Sequence, residues 1–362
     1  MYIILIIVLL FIAFIGLFLY FSKGREGKID AKSQNDLPNG ITSLDAGFLL
    51  KGYVSSKDVL SLLLYLSSKG YIMLDDLEDE QELSSSASFK IVKLKDYDDD
   101  NSYERKFMDK LFISSNTVSM LNLSDYFYNK VDEIKRDATL EYSKKIVDND
   151  IRKYKILYVI LFFLTYLFIT VHLFATNFNY DFLYNDIAFY IPFELMVYIF
   201  IFLLLKGGLY SLKNVSTKKS LKAIIFSIIA YIILGNVITT FLLIRLKEYG
   251  YVTVTFTYLF GKIVMLILLI CYMIFYKRND YGIDMYKRVV GYKNYLTNNT
   301  INDFYDKISY FYVLGVDYSK YKDVSNPEYI KTNKKGTDFI KKSMNEFEKK
   351  IDEEIYNSYV RK

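Results

Sequence analysis

YIILIIVLLFIAFIGLFLYF, residues 2–21, is an apolar run without a single charged side chain. A helix needs roughly 20 apolar residues to cross the ~30 Å hydrocarbon core of a bilayer. Inside the bilayer the backbone must satisfy its own hydrogen bonds, so the run is predicted to be a helix. Basic residues do not precede it, and it leads into Ser22 and Lys23 without a small-residue cleavage site. The sequence therefore predicts an uncleaved transmembrane anchor over residues 1–21.

Four further apolar runs follow the first, and each is long enough to span a bilayer. They occupy residues 154–175, 187–205, 223–244 and 252–276. Together they predict a four-helix transmembrane block over residues 154–276. Adding the first run gives five transmembrane helices.

Basic residues near the ends of these runs predict the orientation. Thirteen lysines and arginines flank the runs on one side, against only Arg245 and Lys247 on the other. The side richer in basic residues is normally the cytoplasmic one. The chain is therefore expected in the plasma (inner) membrane as a multi-pass protein, with its amino terminus outside and its carboxyl terminus in the cytoplasm.

A segment of globular composition follows the polar linker 22–36. Two short helical patterns precede two strand-like stretches around residues 71–74 and 89–94. Helix, helix and a two-stranded wing are typical of a winged-helix domain, so residues 37–130 are predicted to form a cytoplasmic winged-helix-like domain. The expected fold class is a mainly α membrane protein with this α+β domain and a helical cytoplasmic tail.

Charge argues against DNA as the partner of that domain. From residue 36 to residue 100 there are six lysines, no arginine and thirteen acidic residues. Duplex DNA is bound first through basic side chains that neutralise its phosphates. We therefore expect no nucleic acid and a cytoplasmic protein partner instead, besides the lipid bilayer itself.

The remaining non-membrane segments read as helical. Residues 131–153 are predicted to be an amphipathic connecting helix, 277–325 a helical segment rich in aromatic residues, and 326–362 a tail helix. The tail helix has apolar residues at a spacing of three to four: Ile340, Met344, Phe347, Ile351 and Ile355. This stripe favours a docking helix, and a weak homodimer through it stays open as an alternative.

Three polar side chains are predicted at a similar depth within the transmembrane block. Glu194, Asn236 and Lys262 lie seven to ten residues from the outer ends of their runs. Ionisable residues in a span are costly and are candidates for function. A Glu194–Lys262 pair could fix helix register or line an ion or solute pathway, and Lys262 could instead extend to the outer surface.

Several chemistries are excluded or unsupported by composition. One cysteine, Cys271, and one histidine, His172, rule out a disulfide within the chain and a Cys/His zinc site. The acidic run after Asp75 lacks the ligand spacing of an EF-hand. We predict no catalytic, metal or cofactor site and expect that the protein is not an enzyme. Abundant Tyr, Phe, Ile, Lys and Asn without Trp are typical of an AT-rich bacterial genome.

Two sets of residues carry a resemblance to a known family. They are DLPNG (36–40), DAGFLLKG (45–52), DVLSLLLYL (58–66) and KGYI (69–72) before the transmembrane block, then GYKNYL (291–296), Phe304 and YFYVLGV (310–316) after it. This arrangement resembles the predicted membrane proteins of domain-of-unknown-function family 2207 (DUF2207). Members have an A-G-x-L-x-x-G and L-x-x-L-A-x-R-G-Y-L segment before further spans, and a G-F-x-x-Y-L and L-P-Y-A-x-A-L-G-V tail after them.

The chain departs from the family pattern in three ways. Typical members begin with a signal peptide and an extracytoplasmic β-sandwich, so the chain is expected to be a shortened form without that domain. The family's Leu-Pro-Tyr-Ala corresponds to residues 308–311, which read Ile-Ser-Tyr-Phe, and its later tryptophan to Tyr318 or Tyr321. The family has no established activity, so the resemblance supports the topology alone.

Two functions from different classes are expected from these features. The first is a scaffold or regulatory platform that presents a protein-interaction module to the cytoplasm. The alternative is a transporter or channel component that uses the polar layer of Glu194, Asn236 and Lys262.

Overall fold

The computed structural model describes residues 2–26, 29–38, 40–76, 89–119, 123, 125–176, 196, 198–199 and 252–360. The chain divides into two compact units. Unit 1 comprises Met1–Lys28 and Val147–Asn279, and unit 2 comprises Ile29–Ile146 and Asp280–Lys362. Each unit is therefore built from two stretches of chain, and the stretches alternate along the sequence.

The helices and strands are numbered along the chain. The helices are α1 (Tyr2–Leu19), α2 (Ser43–Lys51), α3 (Ser56–Ser68), α4 (Ser102–Leu111), α5 (Asp125–Ile146), α6 (Ile151–Thr176), α7 (Val252–Ile274), α8 (Asp280–Asn298), α9 (Ile308–Leu314) and α10 (Gly336–Val360). The strands are β1 (Ile72–Asp76), β2 (Phe89–Lys93), β3 (Thr117–Ser119) and β4 (Ile330–Lys331). The fold is mainly helical with a small mixed sheet, as the sequence predicts at this level.

Among the residues that the structure describes, unit 1 contains three helices that are long and apolar enough to cross a membrane. By length and composition the candidate spans are Ile3–Gly24, Ile151–His172 and Phe256–Ile274. They coincide with the first, second and fifth predicted spans. The predicted spans 187–205 and 223–244 lie outside the described residues, except for residues 196 and 198–199.

The first two helices of unit 2 begin at side-chain caps. Thr42 and Asp45 form a capping box at α2, in which each side chain bonds the backbone N–H of the other residue. Ser55 and Asp58 do the same at α3. Gly52 ends α2 in the left-handed conformation, with φ of 79°, which glycine adopts without steric cost.

The sheet of unit 2 is larger than the two-stranded wing that the sequence predicts. Its strand order is β3-β2-β1-β4. β1 and β2 pair antiparallel with Leu74 opposite Ile91, whereas β4 pairs parallel to β1 with Leu74 opposite Ile330. β4 could not be foreseen, because it is two residues long and its pairing depends on tertiary contacts.

One hydrophobic core joins both stretches of unit 2. The apolar stripe of α10 (Ile340, Met344, Phe347, Ile351 and Ile355) is buried in it. The Phe347 ring lies 5.8 Å from that of Phe89 in β2 and 6.1 Å from that of Phe127 in α5. α10 is therefore part of the core of unit 2, whose first stretch begins at Ile29.

Residues 131–153, predicted as one connecting helix, contain the end of α5, a turn at 147–150 and the start of α6. Asp148 accounts for the interruption. Its side chain accepts the backbone N–H of Asp150 at 2.9 Å, and its carbonyl accepts that of Ile151 at 3.1 Å. Such local bonds compete with helix continuation.

Candidate functional site

Of the three polar residues predicted within the transmembrane block, the structure describes Lys262. It lies on α7 and is almost fully buried in unit 1. Its ammonium group is 4.7 Å from the centroid of the Tyr258 ring, one turn earlier on the same helix. A cation placed over an aromatic face is stabilised by the ring quadrupole. Glu194 and Asn236 lie outside the described residues, so the polar layer itself stays a prediction.

Small residues let the helices of unit 1 approach closely. A Cβ added to Gly261 on α7 would overlap the Ile169 side chain of α6. The Tyr158 hydroxyl of α6 donates a 2.6 Å hydrogen bond to the carbonyl of Gly16 on α1. Close backbone approach at small residues and bonds between helices are typical of membrane-embedded packing.

Three segments of unit 1, near residues 26, 147 and 278, lie next to the unit boundaries along the chain. Contacts within unit 1 join them. Glu26 accepts hydrogen bonds from the Arg278 backbone N–H at 2.7 Å and from Arg278 Nη1 at 2.5 Å. Arg278 also forms an antiparallel bridge with Val147. We call these three residues the junction cluster. They fix the relative positions of three chain segments at one place in unit 1.

Unit 2 contains a network of charged side chains, of which Asp58 and Lys135 are buried and Lys51, Lys57, Glu348 and Asp352 are partly buried. We call these six residues the buried charge network. Its first part is the capping box of α3. Asp58 is fully buried, and Lys51 Nζ lies 2.6 and 2.5 Å from its two carboxylate oxygens and 2.7 Å from Ser55 Oγ. Asp58 also accepts the Ser55 backbone N–H at 2.7 Å. A buried carboxylate with this many donors is compensated in its charged form.

The second part of the network connects α3 with α10. Lys57 Nζ lies over the Tyr312 ring, 4.8 Å from its centroid, and the Tyr312 hydroxyl donates to Glu348 Oε2 at 3.1 Å. Burial lowers the pKa of Lys57, and nearby Glu348 opposes that shift. Burial likewise raises the pKa of Glu348, opposed by Lys57. Each group therefore supports the charged form of the other.

The third part connects α5 with α10. Burial lowers the pKa of Lys135 and raises the pKa of Asp352, and each charge opposes the shift of the other. Lys135 Nζ also lies 3.9 Å from Asp132 Oδ1 on its own helix. The contacts of Lys57 with Tyr312 and of Tyr312 with Glu348 connect α3 with α10, and an electrostatic attraction between Lys135 and Asp352 acts between α5 and α10.

A second buried carboxyl group lies apart from this network, at the start of α4. Glu104 accepts a 2.9 Å hydrogen bond from the Tyr97 hydroxyl, and its side chain is almost fully buried. Burial raises its pKa to about 7, and the Tyr97 bond only partly opposes the shift. Tyr97 lies between the exposed residues Asp96 and Asp98, and its ring centroid is 5.1 Å from that of Tyr71.

The chemistry of these groups is electrostatic. Within the part of the chain that the structure describes, no group of three His, Cys, Asp or Glu side chains could hold a metal ion. The charges are paired across helices rather than gathered around a cavity. Such an arrangement specifies which helix packs where, a role documented for buried polar groups in other proteins.

A family model matches residues 30–309, which is more than half of the chain: the predicted membrane protein (DUF2207) C-terminal domain. The chain belongs to this family. No curated protein and no solved structure matches the chain.

The DUF2207 signature residues have structural roles in unit 2. A Cβ at Gly47 would overlap the Asp58 carboxylate and the Val313 side chain, so glycine is required where α2 crosses α3 and α9. A Cβ at Gly291 would overlap the Lys32 carbonyl for the same reason. Both resembling stretches therefore meet in one unit, where they contribute to the core, and the first also supplies Lys51 and Asp58 of the buried charge network.

The sequence analysis of this DUF2207 chain did not predict that network. A local signal existed at Ser55, because a serine followed three residues later by an acid is a helix-start pattern. Lys57 and Glu348 are about 290 residues apart in the chain, and each reads as an ordinary charge on an amphipathic helix. The only available signal was Glu348 directly beside Phe347 of the apolar stripe, which places it near the buried face.

Proposed function

We propose that this DUF2207 protein is a multi-pass plasma-membrane protein that presents unit 2 to the cytoplasm as a scaffold or regulatory platform. The finer topology belongs to the proposal: five spans, an outside amino terminus and a cytoplasmic carboxyl terminus. It is supported by thirteen basic residues on one side of the apolar runs against two on the other. The abundance of Tyr, Phe, Ile, Lys and Asn and the lack of Trp support a bacterial origin.

One observation carries the proposal: unit 2 draws a single core and a buried charge network from chain stretches on both sides of the transmembrane block. Phe89, Phe127 and Phe347 meet in that core. Separate loops and tails would not need to assemble in this way. A folded unit whose helices are positioned by buried charges offers a rigid surface, and rigid surfaces bind partners at lower entropic cost.

The partner expected at that surface is a cytoplasmic protein. The α2–α3–β1–β2 order supports the winged-helix-like description, and the acidic balance of residues 36–100 argues against nucleic acid. A weak homodimer stays an alternative, although the apolar stripe of α10 is already buried within one chain.

Crosslinking in intact membranes tests the platform. A full-length chain with a photo-crosslinking residue on unit 2 should capture a defined protein partner. Asp58→Ala, which disturbs unit 2, should abolish capture, whereas Lys262→Met in unit 1 should leave it intact. Capture that is lost in Lys262→Met and retained in Asp58→Ala would refute the proposal. Reporter fusions at Lys90 and Lys334 should both report the cytoplasmic side.

The burial of Lys262 beside Tyr258 favours one alternative, a transporter or channel component. In that case Glu194→Gln and Lys262→Met should each abolish a measurable ion or solute flux while leaving the chain stable. If both single variants destabilise the chain and the double variant recovers, the pair serves structure instead.

A further inference from the structure

A groove of about 320 Å³ lies between α6 and α7 in unit 1. Its lining is almost entirely apolar and includes Val159 and Phe163 of α6, Leu269 and Tyr272 of α7, and Tyr198. Binding pockets for small molecules have volumes of about 300–1,000 Å³. Val159 is 43 % exposed and Phe163 is 53 % exposed, so the groove opens along α6 to the surroundings of unit 1.

The position of the groove along the helices places it among lipid acyl chains. Both helices contain candidate membrane spans, Ile151–His172 and Phe256–Ile274. Phe163 lies roughly 18 Å along α6 from the start of the first of these spans, and Tyr272 lies next to the end of the second. Since the hydrocarbon core is ~30 Å thick, the groove lies mostly within one leaflet. An acyl chain of that leaflet is the apolar group available to fill it.

Two basic side chains continue the face of α6 that lines the groove. Arg152 and Lys155 precede Val159 by seven and four residues, so all three share one face of the helix. Side chains on a helix lean towards its amino terminus, and here that direction leads to the membrane surface. Lys155 Nζ lies 5.5 Å from the centroid of the Tyr272 ring, which lines the groove. The cationic end of this face is therefore contiguous with the groove.

The charges at this end of unit 1 favour an anionic headgroup. Residues 22–26, 147–155 and 275–279 contain seven basic and three acidic side chains. Two of the acidic side chains already have basic partners: Asp150 pairs with Lys153 at 2.8 Å, and Glu26 pairs with Arg278. Arg152 is exposed and has no ion pair with any residue that the structure describes. Basic groups at the end of a span attract anionic lipid headgroups.

We propose that this groove binds an anionic phospholipid. One acyl chain lies between α6 and α7, and the headgroup phosphate lies with Arg152 and Lys155, one to two turns of α6 beyond the groove. A zwitterionic headgroup carries its own cation, which these two side chains repel, so the site distinguishes phosphatidylglycerol from phosphatidylcholine. The site is independent of the platform function proposed above.

Photo-crosslinking of the full-length chain in nanodiscs tests the site. Phosphatidylglycerol with a diazirine in one acyl chain is added at low mole fraction to phosphatidylcholine, and labelled peptides are identified by mass spectrometry. Peptides covering residues 155–163 and 268–272 should be labelled roughly twentyfold more than by diazirine phosphatidylcholine, at about fivefold for each of the two cations. Unlabelled phosphatidylglycerol should compete saturably. Peptides of α1, which does not line the groove, should be labelled equally by both lipids.

Matched substitutions isolate the two cations. Arg152→Gln and Lys155→Gln should each reduce labelling by phosphatidylglycerol about fivefold and leave labelling by phosphatidylcholine unchanged. Lys153→Gln removes the same charge from a neighbouring position on another face of α6, and should be labelled like the wild type. An unchanged elution profile shows that each variant is folded. Both leaflets of the nanodisc have the same composition, so the result does not depend on the orientation of the chain.

Three results would overturn the proposal. Equal labelling of the groove by the two lipids would show that it holds ordinary boundary lipid. An equal loss in Lys153→Gln would show a diffuse attraction to the end of the span instead of a site. Absence of labelling by either lipid would show that protein fills the groove, either another part of this chain or a second copy.

Discussion

The two units treat apolar and charged side chains in opposite ways. In unit 1 large apolar side chains face outwards: Ile3 is 75 % exposed and Phe11 is 62 % exposed. In unit 2 a few charged side chains face inwards: Asp58 is fully buried and Glu104 is 3 % exposed. The contrast follows from the surroundings. Lipid accepts apolar surface without cost, whereas a unit in water buries its apolar surface and encloses only charges that are compensated.

The comparison also shows how each unit obtains specificity. Unit 1 relies on close backbone approach at Gly16 and Gly261 and on the junction cluster. Unit 2 relies on apolar side chains and on charges paired between α3, α5 and α10. Membrane helices gain little from apolar contact with each other, because lipid tails are equally apolar.

The largest effect is expected from breaking the compensated charge in unit 2. Asp58→Ala leaves Lys51 beside a core without its carboxylate and removes the capping box of α3. We expect unit 2 to lose about 4 kcal/mol of stability. Pulse proteolysis of the full-length chain in detergent measures this loss. Asp96→Ala, at a side chain that is 93 % exposed, is the matched control and should be nearly neutral.

The next effect compares two apolar residues that are equally exposed, Phe11 at 62 % in α1 and Leu140 at 63 % in α5. Phe11→Asp should raise the free energy of membrane insertion by about 3 kcal/mol, since it places a charge near the middle of a span. Leu140→Asp should change stability by less than about 0.5 kcal/mol, because its side chain already faces solvent. Carbonate extraction and pulse proteolysis measure the two effects. Equal tolerance at both positions would contradict lipid exposure of α1.

A pH-dependent effect is expected at Glu104. Its pKa rises from 4.5 in the unfolded chain to about 7 in the folded one, so between these values only the folded chain keeps the proton. Stability from this group is therefore present at low pH and is lost as the pH rises from 4.5 to 7, with an upper limit of about 3 kcal/mol. Glu104→Gln should be more stable than wild type at pH 8 and no more stable at pH 4.

Urea-dependent proteolysis of both chains across this pH range measures the difference at Glu104. The difference between Glu104→Gln and wild type isolates this group from Glu348 and Asp352, whose pKa values burial also raises. A difference that does not change with pH would show that Glu104 is solvated.

The smallest effect is expected at the junction cluster in unit 1. Glu26→Gln keeps the shape but removes the charge that pairs with Arg278, whose side chain is largely buried. A loss of about 1–2 kcal/mol is expected, because the amide still accepts one hydrogen bond. Hydrogen exchange at residues 22–26 and 275–279 should report the change. Lys153→Ala, which breaks an exposed pair with Asp150, serves as the control and should leave that exchange unchanged.

Sequence reasoning succeeded where the determining signal is local. The apolar runs at 2–21, 154–175 and 252–276 correspond to helices fit for a membrane, because length and hydropathy are properties of one segment. The runs 187–205 and 223–244 remain predictions that depend on the same reasoning.

Reasoning from sequence was weakest for polar groups inside unit 2. The side chains of Asp96, Asp98, Asp99 and Asp100 are exposed, whereas Tyr97 between them packs beside Tyr71 and bonds Glu104. The candidate site was sought in the membrane at Glu194, Asn236 and Lys262, since a charge in an apolar run stands out. A buried charge on an amphipathic helix cannot be told from an exposed one in the sequence, because such helices carry many charged residues.

The sequence by itself determined the membrane class, the membership of the DUF2207 family and the positions of the three described membrane helices, because hydropathy is a property of a few neighbouring residues. Tertiary structure alone decided that residues 29–146 and 280–362 share one core, that β4 extends the sheet, and that Lys57 and Lys135 meet the charges of α10. The physical reason is distance along the chain. Whether a lysine is solvated or paired in the interior depends on what folds against it, and for these lysines the partners lie on the far side of the transmembrane block.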